Sequence, residues 1–188
     1  LGEPTVHEPQ APPKPALSKL FFGVALAPTL QVAPAIFEGA TRATVAPGMA
    51  LRLSLLSSSV GGSLGIAVTK TSDLNFGNVV IRETRLPLDL SLRWRLRAGL
   101  FEGMIDVGAL AAWVDYDRAG VERGFRGVEL GGRAGVTIGW GRHVLPWVGA
   151  SVEVVPRSSE LKLAPTGTFG HTPALWLGFA LGTEFRWP

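Results

Sequence analysis

The chain has 188 residues, 46% of them hydrophobic, yet its 24 glycines and 14 prolines exclude a helical bundle, because both residues disfavour helix interiors. With no cysteine it has no disulfide framework, no thiolate metal site and no cysteine nucleophile. Its net charge of +3 comes without a basic stripe interleaved with aromatics, so nucleic acid is not an expected partner.

Taken in order, residues 1–17 carry Pro4, Pro9, Pro12, Pro13 and Pro15. Such a stretch is stiff and extended, and reads as a periplasmic linker ahead of a domain spanning residues 18–188. It shows no signal-peptide pattern, so any targeting segment is expected upstream or already removed. Leu20 to Phe37 is free of charge for 18 residues, at the lower edge of a spanning helix. Pro28, Thr29, Gln31 and Pro34 interrupt it, and it alternates like a strand.

From Lys19 onward the chain alternates with period two in eight runs. Lys19–Val32 places Leu20, Phe22, Val24, Leu26 and Leu30 on one face and Gly23, Ala25, Ala27, Thr29 and Gln31 on the other. Arg42–Leu55 sets Val45, Met49, Leu51 and Leu53 against Thr44, Gly48, Ala50 and Arg52. Val60–Thr71 follows a turn near Ser57, and Ser72–Asn78 reads as a loop from its Asp, Asn and Gly. In Val79–Arg97, Leu86, Leu88, Leu90, Leu92, Trp94 and Leu96 alternate with Arg85, Pro87, Asp89, Ser91, Arg93 and Arg95. Phe101–Tyr116 opposes Ile105, Val107 and Trp113 to Glu102 and Asp106, with Leu110 as an inward exception. Asp117–Gly124 is a charged loop, and Phe125–Trp140 opposes Val128, Leu130, Val136 and Ile138 to Glu129, Gly131, Arg133 and Gly135. Val144–Pro156 puts Gly149, Ser151 and Glu153 inward, and Arg157–Thr172 is the longest loop. The last run, Pro173–Trp187, has Leu175, Leu177, Phe179, Leu181, Phe185 and Trp187 on its greasy face, and Trp176, Gly178, Ala180, Glu184 and Arg186 on the other.

A water-exposed face would carry Lys, Glu, Thr and Ser rather than Gly and Ala. The small faces therefore read as the crowded interior of a narrow barrel and the greasy faces as lipid-facing. The fold expected is all-β, an eight-stranded antiparallel up-and-down transmembrane β-barrel. Connections alternate between short turns near Ser57, Gly99 and Gly141 and longer loops near Ala40, Asn75, Gly120 and Thr166. Short turns are periplasmic in outer-membrane barrels. At that rim this topology collects an aromatic girdle of Phe22, Trp94, Trp140, Trp147, Phe185 and Trp187. A weaker band at the other rim holds Phe76, Trp113, Tyr116, Phe125 and Phe169.

The closing run, Leu175-Trp176-Leu177-Gly178-Phe179-Ala180-Leu181-Gly182-Thr183-Glu184-Phe185-Arg186-Trp187, resembles the assembly signal that closes bacterial outer-membrane barrels. The eight-run body is similar to the small OmpA/OmpX-type barrel class. The resemblance implies a bacterial outer-membrane location, contact with lipid and lipopolysaccharide, and no cofactor. Pro188 follows the terminal aromatic, and a Pro-rich linker precedes the barrel in place of a soluble domain after it, so no family activity is transferred.

Inward charges persist only when paired. Arg52, Arg93, Arg95, Arg133 and Arg186 are expected to form a salt-bridge network with Glu102, Asp106, Glu129, Glu153 and Glu184 that fills the lumen, with Arg85, Glu83 and Asp89 also inward. Removing Arg133 is expected to strand Glu129 or Glu153. The sharper alternative is a proton- or ion-conducting path along the same charges. No metal-ligand spacing occurs, and the nearest serines to His171, Ser158 and Ser159, match no hydrolase pattern. The expectation is a non-enzymatic envelope anchor, or a subunit of a larger envelope assembly tethered through residues 1–17. The other readings are a small channel or ligand-binding surface protein, and a soluble calycin-like barrel with its greasy faces inside.

Overall fold

The computed structural model describes residues 20–36, 40–70, 72–76, 79–118, 125–157, 160–163 and 167–187. The linker at residues 1–17 and the loop centres near Gly120 and Thr166 lie outside the described residues. The strands are β1 (Phe21–Ala33), β2 (Thr44–Leu56), β3 (Val60–Thr69), β4 (Ser72–Phe76), β5 (Val79–Ala98), β6 (Phe101–Arg118), β7 (Phe125–Trp140), β8 (Val144–Val154), β9 (Glu160–Leu163), β10 (Gly167–His171) and β11 (Leu175–Trp187).

Each barrel strand pairs antiparallel with its neighbours in the order β3-β2-β1-β11-β8-β7-β6-β5, and pairing of β3 with β5 closes the ring. The seam between the chain's first and last strands runs from Phe22 opposite Trp187 to Val32 opposite Leu177. The barrel is eight-stranded because β3 and β4 act as one broken strand against β5. Ile66 faces Leu88 and Ser72 faces Glu83, so six residues on one side span five on the other. That extra residue is a bulge. The Thr69 hydroxyl donates to the Arg85 carbonyl at 2.9 Å beside the break.

Two segments read as loops are therefore ordered. Ser72–Phe76 is a strand, because Ser72, Leu74 and Phe76 keep the inward alternation while the polar Asp73 and Asn75 point away. Within Arg157–Thr172, β9 and β10 form a separate two-stranded hairpin. Its Leu161 is buried against Leu74, Phe76, Ile81, Val114 and Tyr116 in a small apolar core at the loop end of the barrel. Leu110 begins the inward series Leu110, Ala112, Val114, Tyr116 that leads to this core, which explains its departure from the polar lining. Phe76 and Tyr116 are interior residues and not members of a second girdle, whereas Trp113 is 52% exposed on the outer face.

The sheet is inside out relative to a soluble barrel. Leu90, Leu96, Leu130, Ile138 and Leu181 are each more than 60% exposed, while Glu83, Glu102, Asp106, Arg93 and Glu184 are each 3% or less exposed. Hydrocarbon tolerates the first set, and a polar lumen takes the second. A soluble barrel with greasy faces inside is incompatible with this burial. Short turns sit at one end, where Gly99 adopts φ +65°, a conformation that favours glycine. Gly108 allows β5 and β6 to meet closely, since a Cβ there would collide with the Leu90 carbonyl.

Phe185 and Trp187 lie on the closing seam opposite Val24 and Phe22. Serine at both positions removes the apolar end of β11 that must seal against β1 in lipid. The expected outcome is a sharp fall in folded, heat-modifiable protein, read as the shifted band on unheated gels.

Candidate functional site: an ion-pair ladder in the lumen

Alternation aims every second side chain of the eight barrel strands at one axis, and charges from six of those strands join into a continuous chain. At the turn end, Arg186 Nη1 lies 2.7 Å from Glu102 Oε1, and its Nε donates to Glu184 Oε1 at 3.0 Å. Glu184 Oε2 is 3.5 Å from Arg93 Nη1, and Arg93 Nε donates to Asp106 Oδ1 at 2.6 Å. Asp106 is next to Arg52 at 3.7 Å, and Arg52 Nη2 donates to both Asp89 oxygens at 2.9 Å. Arg133 then stands between Asp89 and Glu153, 3.7 Å from each. Arg85 Nη1 donates to Glu153 Oε2 at 2.6 Å and stacks its guanidinium 5.1 Å above the Trp176 ring. The order is Glu102, Arg186, Glu184, Arg93, Asp106, Arg52, Asp89, Arg133, Glu153, Arg85. Signs alternate at every step, so no charge abuts its own kind along the ladder.

Uncharged groups complete the coordination. Ser54 donates to Glu184 and Ser63 accepts from Arg52, each at 2.9 Å. The Gln31 amide donates to Glu153 at 3.2 Å and accepts from Arg85 at 3.4 Å. Burying these ions costs several kcal/mol apiece unless partners replace water, and each one here has at least one opposite charge within 3.7 Å.

Three residues expected in these sets sit elsewhere. Arg95 does not join the ladder. It donates to the Ser57 and Ser58 carbonyls at 3.0 and 2.7 Å and stacks over Phe21 at 5.4 Å, so it ties down the β2–β3 turn. Glu129 forms no ion pair within 4 Å among the described residues. It accepts from Tyr116 and Thr172 at 3.0 and 3.1 Å, with Glu83 Oε1 3.3 Å from the same phenol. Its place on β7 puts it two inward positions beyond Arg133 toward the loop end, within a separate hydroxyl-carboxyl cluster. Trp147 is not a girdle residue. Its parity on β8 matches the inward Leu145, Gly149 and Glu153, and Gly149 and Gly182 make room for its ring in the lumen. Phe22, Trp94, Trp140, Phe185 and Trp187 are 41–53% exposed on the outer face at the turn end, where Phe22 and Trp187 stack at 6.1 Å. Conversely, Arg85 and Asp89 are full members of the ladder, and their strand parity was the signal for them.

Not all of the lumen is filled. A chamber of about 80 Å³ lies at mid-height. Its lining combines the ladder residues Arg52, Asp89, Asp106 and Arg133 with the small residues Ala25, Ala27, Ala50, Ala67 and Ala180. No group of His, Asp and Glu among the described residues could hold a metal ion.

A closed antiparallel barrel of eight strands, greasy outside and ion-paired inside, is a β-barrel of the small outer-membrane type. No family model matches the sequence, and no curated protein matches it. Solved structures do match in fold. The outer membrane protein OprG from Pseudomonas aeruginosa superposes with a TM-score of 0.67 at 14% identity, over 90% of this chain and 97% of its own. Neisserial surface protein A gives 0.61 at 7% identity, over 89% and 97%. The attachment invasion locus protein Ail of Yersinia pestis, in complex with the heparin analogue sucrose octasulfate, gives 0.57 at 9% identity, over 90% and 99%. At such identities the likeness is one of fold, and the fold is that of bacterial outer-membrane barrels.

Contact distance ranks the ladder arginines. Removing Arg93 takes away the 2.6 Å partner of Asp106 and leaves it only Arg52 at 3.7 Å, whereas without Arg133 Asp89 retains Arg52 at 2.9 Å and Glu153 retains Arg85 at 2.6 Å. Arg93→Ala is expected to destabilise by about 3–5 kcal/mol. Arg133→Ala, which loses only 3.7 Å contacts, should cost about 1 kcal/mol. Urea unfolding of the barrel in lipid vesicles measures both.

Proposed function

We propose that the protein is a non-enzymatic outer-membrane barrel that serves as an envelope anchor, or as a subunit of a larger envelope assembly, with its lumen shut by the ion-pair ladder. The ladder itself carries this reading. An eight-stranded barrel leaves room for side chains and not for an aqueous channel. In this one, guanidiniums and carboxylates interlock from Glu102 at the turn end to Arg85 near the loop end, with four close pairs at 2.6–2.9 Å joined by contacts of 3.0–3.7 Å. A conducting path needs ionic groups that can exchange partners with a passing ion. Groups held by two opposite charges each are poorly disposed to do so.

The lipid-facing belt and the turn-end aromatics support residence among outer-membrane lipid and lipopolysaccharide. The Pro-rich residues 1–17 are the proposed tether to an envelope protein partner, since an extended segment spans distance at little entropic cost. No catalytic constellation is assigned to the barrel.

Purified wild-type barrel in planar bilayers should show no steady, ion-selective conductance. Regular channel steps would replace the anchor with the channel reading. In the envelope, deletion of Leu1–Pro15 should leave a folded barrel that no longer crosslinks to its partners. Recovery of the same crosslinked partners without the linker would place those contacts on the barrel.

A further inference from the structure

We propose that the mid-lumen chamber is a binding site for a small uncharged molecule that carries a hydrogen-bond acceptor oxygen and a short apolar part. Three residues that line the chamber each carry a buried polar atom with no hydrogen-bond partner: Arg133 Nη1, Trp147 Nε1 and Thr29 Oγ1. An indole nitrogen and a guanidinium nitrogen can only donate, and a hydroxyl can donate as well as accept. Leaving such donors unmet in a low-dielectric interior is costly, so their convergence on one chamber specifies an acceptor.

The carboxylates of the same chamber are already engaged. Asp89 holds Arg52, Asp106 holds Arg93 and Arg52, Glu153 holds Arg85 and the Gln31 amide, and Glu184 holds Arg186 and Ser54. A donor ligand would have to displace one of those contacts or rely on the Thr29 hydroxyl alone. The ligand's charge follows from Arg133, whose guanidinium lies 3.7 Å from both Asp89 and Glu153. An added anion there would meet two carboxylates at close range, and a cation would meet the guanidinium. An uncharged oxygen meets neither penalty. The lining alanines Ala25, Ala27, Ala50, Ala67 and Ala180 offer only methyl groups, which suits a short alkyl portion. The volume of about 80 Å³ limits the guest to a few heavy atoms. Trp147 defines this site: Gly149 and Gly182 admit its ring beside the chamber, where its N–H is directed by packing and not by a protein acceptor.

The test is to refold the full chain in detergent with N-methylacetamide present and measure saturation transfer from barrel to probe. Two variants accompany the wild type. Trp147→Phe keeps the ring and loses the N–H, and Ala67→Leu fills the alanine wall; heat-modifiability establishes that each is folded. Transfer in the wild type that corresponds to roughly three- to ten-fold weaker binding in Trp147→Phe, the effect of one lost hydrogen bond, and that vanishes in Ala67→Leu is the expected result. Equal transfer in all three barrels would mean association with the micelle or outer wall and would overturn the site. No transfer in folded wild type would assign the chamber to water alone and overturn it as well. Acetate bound in preference to N-methylacetamide would overturn the uncharged ligand class.

Discussion

In hydrocarbon a backbone N–H or C=O without a partner costs several kcal/mol, and water is not present to relieve it. Everything else in this molecule depends on that constraint. It requires the first strand to meet the last, so Phe22 through Val32 must find Trp187 through Leu177 across the whole chain length. It also disfavours lipid-exposed irregular backbone within the belt. The bulge between β3 and β4 accordingly lies near the loop end, where Thr69 and Arg85 bridge the gap.

Closure sets the second problem. A ring of eight strands is narrow, and half of its side chains must share the interior. Methyl groups and glycines alone would leave voids, and isolated charges would be expelled. Alternating arginine and carboxylate along one line answers both demands, because each long guanidinium reaches across the lumen to carboxylates on other strands. Arg52 on β2 reaches Asp89 on β5, and Arg85 on β5 reaches Glu153 on β8. The ladder thus ties strands that share no backbone hydrogen bonds. It does so asymmetrically, since β1 contributes Ala25, Ala27 and Thr29 in place of charge, and these residues help to line the mid-lumen chamber.

The two ends of the barrel are filled by different chemistry. At the turn end, Arg95 fastens the Ser57–Ser58 turn and Arg186 leans on Glu184, Glu102 and the Met104 sulfur at 3.5 Å. At the loop end, the charges give way to the Glu83–Tyr116–Glu129 cluster and then to an apolar core capped by Leu161 of the β9–β10 hairpin. A polar middle under an apolar cap keeps the ladder away from solvent at that end, which strengthens each of its pairs.

Strand identity, face and barrel class were legible in the sequence because period two is a local property: Leu86 through Leu96 against Arg85 through Arg95 cannot be anything but a two-faced strand. The same parity marks which charges point inward, including Arg85 and Asp89, and it also marked Trp147 as inward even though aromatic position along the axis suggested a girdle. Local pattern does not reveal which inward charges touch. Arg95 and Arg93 are equivalent by parity, yet one meets a turn and the other Asp106, because partner choice depends on the height of residues from other strands. Glu129 likewise meets Tyr116 and Thr172 rather than an arginine, since register and the folded hairpin set its level. Alternation alone determined the barrel and its two faces; the ladder's pairing, the hairpin cap and the chamber beside Trp147 were decided only when closure brought distant strands to a common height.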